Sequence, residues 1–314
     1  MRGATLFSGG GGCEALLKKR IDFVHAVEYD PKIADVYRVN HGDHIQVAKV
    51  EDVDYSLWGM LDYLHASPVC TRATHANSRN AGEDDRDIQS ALAVARCLEA
   101  TQPRVFTLEN VWGYRNFKAF KLICQALGRG VYMWHFEHLN AADFGVPQTR
   151  WRLILRAVRD SLLPGWPAPL PWVGWYAAIE DLLPLLPDSQ FADWQIPHLP
   201  KQINGNVMPS CGLVPKECEV LALRYADCPS FGITSRATYG RMKVFILDNV
   251  SNHDPMDRDW IQKGRMLKLT PRALARLQSI PDAFILPNDN GISSEIVGNA
   301  VPSLLMWNVV TPLL

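Results

Sequence analysis

Cys70 stands in the run Ala66-Ser67-Pro68-Val69-Cys70-Thr71, and Glu109-Asn110-Val111 follows thirty-nine residues later. A short apolar stretch precedes each, Leu61 to His65 before the first and Val105 to Leu108 before the second. Both stretches read as strands, so a thiol and a carboxyl would emerge on neighbouring turns at the carboxyl ends of one sheet. Ahead of both lies a glycine-rich turn, Phe7-Ser8-Gly9-Gly10-Gly11-Gly12. A nucleophile, an acid and a cofactor cradle together point to covalent catalysis beside a nucleoside-containing cofactor.

Each feature also has a plainer reading. A glycine turn can be a tight strand–helix connection with no ligand, and most cysteines are buried and inert. Glu109 can simply cap a helix. Arg150 and Arg152 in Gln148-Thr149-Arg150-Trp151-Arg152 are two residues apart, so on a strand they share a face. They would form surface ion pairs, or a pair of donors on an anion or carbonyl oxygen. Context sharpens the turn. Glu28 lies nineteen residues past Gly9, at the end of the next strand-like run, where an acid can take ribose hydroxyls. Asp52 follows at the next crossover, as a solvated turn residue or an acceptor for an adenine amino group.

The elements that must position these residues alternate along the first 160 positions. Ala4–Phe7, Phe23–Glu28, Val105–Leu108, Val131–Leu139 and Arg152–Ala157 read as strands. Cys13–Arg20, Pro31–Asn40, Asp87–Ala100 and Phe117–Leu127, the last closed by Gly128, read as helices. That alternation implies a doubly wound, mostly parallel α/β sheet. Residues 161–264 lose the periodicity, are dense in proline and tryptophan at first, and read as a smaller domain. Order returns with a helix at Thr270-Pro271-Arg272 and an apolar helix at Pro302–Val310. The expected division is a catalytic and cofactor-binding domain over 1–160, a target-recognition domain over 161–264, and a C-terminal segment, 265–314, that returns to the first domain.

Composition bounds the class. The 314 residues are 47% apolar and 21% charged, enough for a large core without staples. A net charge of −1 gives no hint of a polyanionic partner, although a local basic face is compatible with it. Seven cysteines without a Cys-x-x-Cys pair argue against disulfides and fit a reducing cytoplasm. Cys211, Cys218 and Cys228, with His253 downstream, have no common zinc spacing, so no metal is expected. No signal peptide and no apolar run near the length of a membrane span are expected.

The order of seven short blocks resembles the C5-cytosine DNA methyltransferases. They are Leu6-Phe7-Ser8-Gly9-Gly10-Gly11-Gly12, Glu28-Tyr29-Asp30, Ser67-Pro68-Val69-Cys70, Glu109-Asn110-Val111, Gln148-Thr149-Arg150-Trp151-Arg152, Leu269-Thr270-Pro271-Arg272 and Gly298-Asn299-Ala300-Val301-Pro302. They lie within residues 4–160 and 266–314. The resemblance implies a Rossmann-like fold with S-adenosylmethionine as cofactor and S-adenosylhomocysteine as product. Phe7, Gly9, Gly11 and Tyr29 would line its pocket, with Glu28 on the ribose and Asp52 near the adenine. Asn299, Ala300 and Val301 would close the methionine side. Cys70 would be the nucleophile, Glu109 the acid, and Asn110 a brace for the cysteine loop. Arg152 would hold the cytosine carbonyl, and Arg150 a phosphate or Glu109. Arg72, Thr74, Arg79 and Arg86, with Thr234 and Arg236, would meet DNA. The stretch from Thr71 to Arg86 would close over it.

The sequence also departs from the family pattern. Val69 stands where proline usually precedes the cysteine, and Thr71, Ala73 and Thr74 replace the usual glutamine, phenylalanine and serine. Thr234-Ser235 replaces a threonine–leucine pair. The implied partner is double-stranded DNA, acted on by a cytoplasmic monomer of prokaryotic or phage origin without a membrane. It would serve as a solitary methylase or within restriction-modification. Alternative readings are a tRNA cytosine-5 methyltransferase, an inactive DNA-binding homologue, and a nicotinamide-dependent dehydrogenase. The last leaves the cysteine, glutamate and arginines unexplained.

Overall fold

The computed structural model describes residues 1–69, 82–211, 220–234, 241–247 and 258–314. Contacts divide these into two units, the first comprising Met1–Ala141, Trp151–Pro169 and Ala300–Leu314.

Unit one is built on β1 (Arg2–Leu6), β2 (Asp22–Glu28), β3 (Ile45–Val47), β4 (Tyr63–Ala66), β5 (Val105–Asn110), β6 (Tyr132–Asn140) and β7 (Trp151–Arg159). They lie in the order β3-β2-β1-β4-β5-β7-β6. β7 runs antiparallel to both its neighbours, and every other pairing is parallel. Strand order reverses between β1 and β4, the place where such sheets open a ligand crevice at their carboxyl ends. Helices α1 (Glu14–Leu17), α2 (Pro31–His41), α3 (Asp85–Thr101) and α4 (Lys118–Arg129) occupy the crossovers. This is the doubly wound, Rossmann-like fold expected from the alternation.

Local chemistry fixes the helix starts. Asp30 accepts from the amides of Lys32 and Ile33, with Pro31 at the first helical position. Asp84 and Asp87 form a reciprocal capping box at α3. The core joins Leu6, Val27, Leu64, Val94, Leu98, Phe106, Leu108, Ile123 and Leu155, all within 3% of full burial. Burying each such side chain contributes about 2 kcal/mol.

Unit two comprises Ala142–Arg150 and Leu170–Asn299. It contains α5 (Trp175–Ile179), β8 (Asp188–Ser189), β9 (Val207–Pro209), β10 (Leu223–Tyr225), β11 (Lys243–Leu247), β12 (Gly264–Lys268), α6 (Pro271–Leu277) and α7 (Asn290–Asn299). Its antiparallel sheet runs β10-β9-β11-β12-β8 over a core that includes Leu199, Val207, Phe245 and Trp260. Thr270 caps α6 through its hydroxyl. α8 (Ser303–Val310) belongs to unit one. Packing thus groups residues 265–299 with unit two and only 300–314 with unit one. The division at 161 and 265 read from the sequence is by expected function, and this one is by contacts.

Asn290–Leu313 is long and apolar enough to pass a length-and-composition test for a membrane span, which corrects the expectation that no run comes near it. Pro302 separates the stretch into α7 and α8, and 61% of its most apolar window is buried, as in core helices.

Candidate active site

The glycine turn leaves β1 with an unusual backbone. Phe7 has φ +60°, Gly9 +54° and Gly11 +86°. A bulky residue in the left-handed region is strained and persists only where its surroundings hold it. Ser8 supplies that hold, its hydroxyl lying within reach of the Thr5 and Val27 carbonyls, to one of which it donates, and accepting from the Val27 amide. The Glu28 carboxylate, at the end of β2, accepts from the amides of Gly9 (2.9 Å) and Asp30 (3.0 Å). Burial raises its pKa. Each carboxylate oxygen keeps further acceptor capacity for a hydroxyl.

His41 is a part of this site that the sequence gave no reason to single out. Its Nε2 lies 2.9 Å from the Gly11 carbonyl, and burial lowers its pKa to about 4. A Cβ on Gly11 would lie 2.3 Å from the His41 ring. Gly11→Ala is therefore expected to cost roughly 2 kcal/mol or more through clash and strain together. Urea unfolding checks the stability loss, and titration with S-adenosylhomocysteine should show weakened binding.

Tyr29 and Asp52 are exposed beside this turn's end of the sheet, Asp52 in a short 3-10 helix after β3. Val301 is buried, Ala300 half-buried, and the Ser303 hydroxyl donates to the Gly12 carbonyl at 2.6 Å. The C-terminal piece of unit one thus returns to the glycine turn. Asn299 is exposed and ends unit two. A Cβ at Gly9 would meet nothing within 4 Å. Open space at Gly9, with an acid at the end of β2, fits a ribose-bearing cofactor.

Two strands along, Glu109 and Asn110 end β5. Glu109 is nearly buried, and its Oε1 accepts from Arg152 Nε at 2.8 Å. Arg152 also donates through Nη1 to the Trp151 carbonyl. Asn110, 1% exposed, donates through Nδ2 to the Pro68 carbonyl at 3.0 Å. The segment leaving β4 towards position 70 is therefore tied to the residue beside the acid. Cys70, Arg72, Thr74, Arg79 and Arg236 lie outside the described residues. Arg86 and Thr234 are described and exposed.

Arg150 departs from the sequence reading. β7 begins at Trp151, so Arg150 precedes the strand and shares no strand face with Arg152. Its guanidinium is buried and donates to the carbonyls of Ile233 (2.6 Å) and Gly298 (3.2 Å). Gln148 reaches the same segment, accepting from the Ile233 amide and donating to the Leu277 carbonyl. Backbone bonds between 147–149 and Ser230 complete the tie. Within unit two, Gln148 and Arg150 hold the backbone that leads to Thr234.

A doubly wound sheet, a glycine turn at its reversal point and an acid–guanidinium pair two strands along together define a Rossmann-like α/β fold with a candidate active site at the carboxyl ends of its strands. A sequence profile described as C-5 cytosine-specific DNA methylase matches residues 1–313. The chain belongs to that family of enzymes. It is 26% identical to type II methyltransferase M.NlaX of Neisseria lactamica, over 94% of this chain and 90% of that one. It is 34% identical to M.Bsp6I of a Bacillus strain, over about half of each. Among solved structures, S. pombe Dnmt2 methyltransferase aligns with a TM-score of 0.68 at 17% identity, covering 100% of this chain and 98% of that one. Entamoeba histolytica EhMeth aligns at 0.70 and 16%, covering 100% and 97%. These last two likenesses are of fold alone.

Proposed function

We propose that this chain transfers a methyl group to carbon 5 of a cytosine flipped out of double-stranded DNA, through a covalent bond to Cys70. The observation that carries the reading is the bond from Asn110 to the Pro68 carbonyl. It ties the cysteine segment to the strand end where Glu109 meets Arg152.

Carbon 5 of cytosine is a poor nucleophile. Addition of the Cys70 thiolate at carbon 6 breaks the ring's 5,6 double bond and places the electron pair on carbon 5. Only sulfur among ordinary side chains combines some thiolate at neutral pH with this nucleophilicity. Glu109 gives a proton to ring nitrogen 3 as negative charge develops there, a contact that strengthens towards the transition state. Arg152 orients Glu109 and aims its donors at the ring carbonyl. S-adenosylmethionine, when bound, supplies the methyl group as an electrophile on sulfonium sulfur. Transfer of the carbon 5 proton to water then restores the double bond and expels Cys70 as the thiolate, and nitrogen 3 returns its proton to Glu109. A stacked duplex hides carbon 6, so the base must leave the helix, at a cost of a few kcal/mol.

In this reading Glu28 takes the ribose, Tyr29 and Asp52 line the nucleoside, and Asn299 to Val301 close the methionine end. Arg86 and Thr234 meet the DNA backbone. Arg150 acts as a positioning residue for the segment before Thr234. The protein works as a cytoplasmic monomer on duplex DNA, and the type II names of its relatives fit a restriction-modification role.

Bisulfite sequencing of DNA and tRNA from cells expressing the protein tests the reading and separates the two substrates. New 5-methylcytosine in DNA at a recurring sequence is the expected result; methylation confined to tRNA overturns it. Glu109→Gln keeps the shape but has no acidic proton to give. It is expected to lower kcat by about 10²- to 10⁴-fold, with S-adenosylhomocysteine binding unchanged. Single-turnover methyl incorporation measures this, and a wild-type rate would remove Glu109 from the chemistry.

A further inference from the structure

Outside this site, the outer edge of the sheet carries an unusual surface. β6 is the edge strand. Trp134, Phe136 and His138 alternate along it and share a face. Trp112 stacks on His138 with ring centroids 4.6 Å apart and planes 14° apart. Arg115 lies over the Trp112 ring, its Cζ 4.0 Å from the centroid. Trp151 packs beside His138 at 4.9 Å. Trp134 lies parallel to Phe136, their planes 14° apart. The row does not end in the core, for Trp151 is 50% and Trp134 36% exposed. Solvent-facing indoles in an ordered row are a costly way to finish a sheet unless something stacks on them.

The charge around the row states what kind of partner fits. From Val111 to Phe136 the sequence holds no aspartate or glutamate, while Arg115, Lys118, Lys121 and Arg129 are basic. This occurs in a chain whose net charge is −1. Arg129 is paired with Glu99, whereas Lys118 and Lys121 are exposed on α4 and Arg115 is half-buried against the row. Three acids of this region are otherwise engaged, the first being Glu109, which pairs with Arg152. Glu83 accepts from the first amides of α4. Glu137, odd-numbered on β6, points to the opposite face, beside His135. Burial, then Arg115 and Arg152, lowers the pKa of His138, which favours the neutral ring for stacking.

Aromatic planes interleaved with cations and free of carboxylates match nucleic acid whose bases are unstacked, since every base has a π-face and every linkage a charge. A duplex hides its base faces and cannot use the indoles. We propose that the Trp112–Trp134–Trp151 face binds unpaired nucleotides, with Arg115 and the α4 lysines on their phosphates. Trp134 and His138 are four residues apart, about 14 Å along the strand, enough for a short run of nucleotides. Trp112 lies three residues past Glu109, and Trp151 directly precedes Arg152, so the face opens at the same end of the sheet as the candidate active site. That the strand belongs to the substrate rests on the proposed methyl transfer. That the face takes unpaired nucleic acid rests only on the face.

The test uses the full chain, a twelve-nucleotide oligothymidylate and a mixed-sequence duplex of equal length, followed by fluorescence anisotropy at several salt concentrations. Trp134→Ala and Trp151→Ala are each expected to weaken oligothymidylate binding about tenfold. Trp151→Phe, which keeps a ring, should stay within about twofold of wild type, and duplex binding should change by less than about twofold in all three. Arg115→Gln should lower the slope of log affinity against log salt by about 0.7. The inference is overturned if both alanine variants, with wild-type unfolding midpoints, bind the single strand as wild type does. It is equally overturned if sedimentation shows a dimer that these variants dissociate, since a second copy would then cover the face. Lost strand binding in the variants alongside a negative bisulfite result would sink the methyl-transfer reading and leave this one standing.

Discussion

Cys70→Ala and Cys70→Ser are expected to lose methyl transfer by about four orders of magnitude or more, the scale on which removal of a catalytic nucleophile acts. Serine is the sharper of the two. It keeps the size and a polar hydrogen, but its hydroxyl is far less acidic than a thiol and a poorer nucleophile at carbon 6. Binding of S-adenosylhomocysteine should remain within about twofold in both, because the glycine turn proposed to hold it is organised by Ser8, Glu28 and His41. A second readout isolates the covalent step. In DNA carrying 5-fluorocytosine the product cannot shed a carbon 5 proton, so sulfur stays bonded to carbon 6. Wild-type protein should give a denaturant-resistant protein–DNA band that both variants lack. Turnover retained in either variant would refute nucleophilic catalysis by Cys70, whatever the rest of the site does.

What the sequence made legible follows from what local patterns encode. β2, β5 and β7 are apolar runs between turn residues, and the structure has them within two residues of expectation. β3 escaped because Ile45-Gln46-Val47 is three residues long with a single buried member. α7 escaped because Asn290, Gly291, Ser293 and Ser294 are poor helix formers. The Asp289 carboxylate nevertheless starts it by accepting from the amides of Gly291 and Ile292. Gly128 reads as a helix terminator, yet α4 continues to Arg129, and Gly130 closes it by donating to the Ala126 carbonyl. Glu28 and Glu109 could be placed because an acid at a strand end has a sequence signature. Arg150 could not, since alternation says which residues share a face only once the first residue of the strand is known. His41 and Gln148 act through backbone carbonyls and amides far along the chain, and no spacing rule encodes such partners.

Glu14 was equally invisible, and it leads to the second large effect. An acid in the first turn of a helix normally sits in water and favours the helix dipole. Glu14 is instead 1% exposed, and only its own amide and the Thr5 hydroxyl act against the loss of water around its carboxyl. Burial pushes its pKa from 4.5 to about 7. Below pH 4.5 the carboxyl is protonated in both folded and unfolded chains, and the proton favours neither. As pH rises from about 4.5 to about 7, the unfolded chain releases the proton and the folded one keeps it, so stability falls, by about 3 kcal/mol across the window. Buried His41 and His65, both held at about 4, act in the opposite sense, since the unfolded chain binds their protons below about 6.5 and the folded chain does not. The wild-type profile sums both trends, so Glu14 is best read by difference. Glu14→Gln is neutral at every pH. Relative to wild type it should gain about 2.5 kcal/mol between pH 5 and pH 8, measured from urea midpoints at both. A constant offset between the two proteins would mean that the Glu14 carboxyl titrates normally, reached by water that its burial here excludes. A carboxylate paired with a cation would confine the divergence to below about pH 5, with the opposite sign, so a gain inside the pH 5–8 window decides whether Glu14 folds as an uncharged acid.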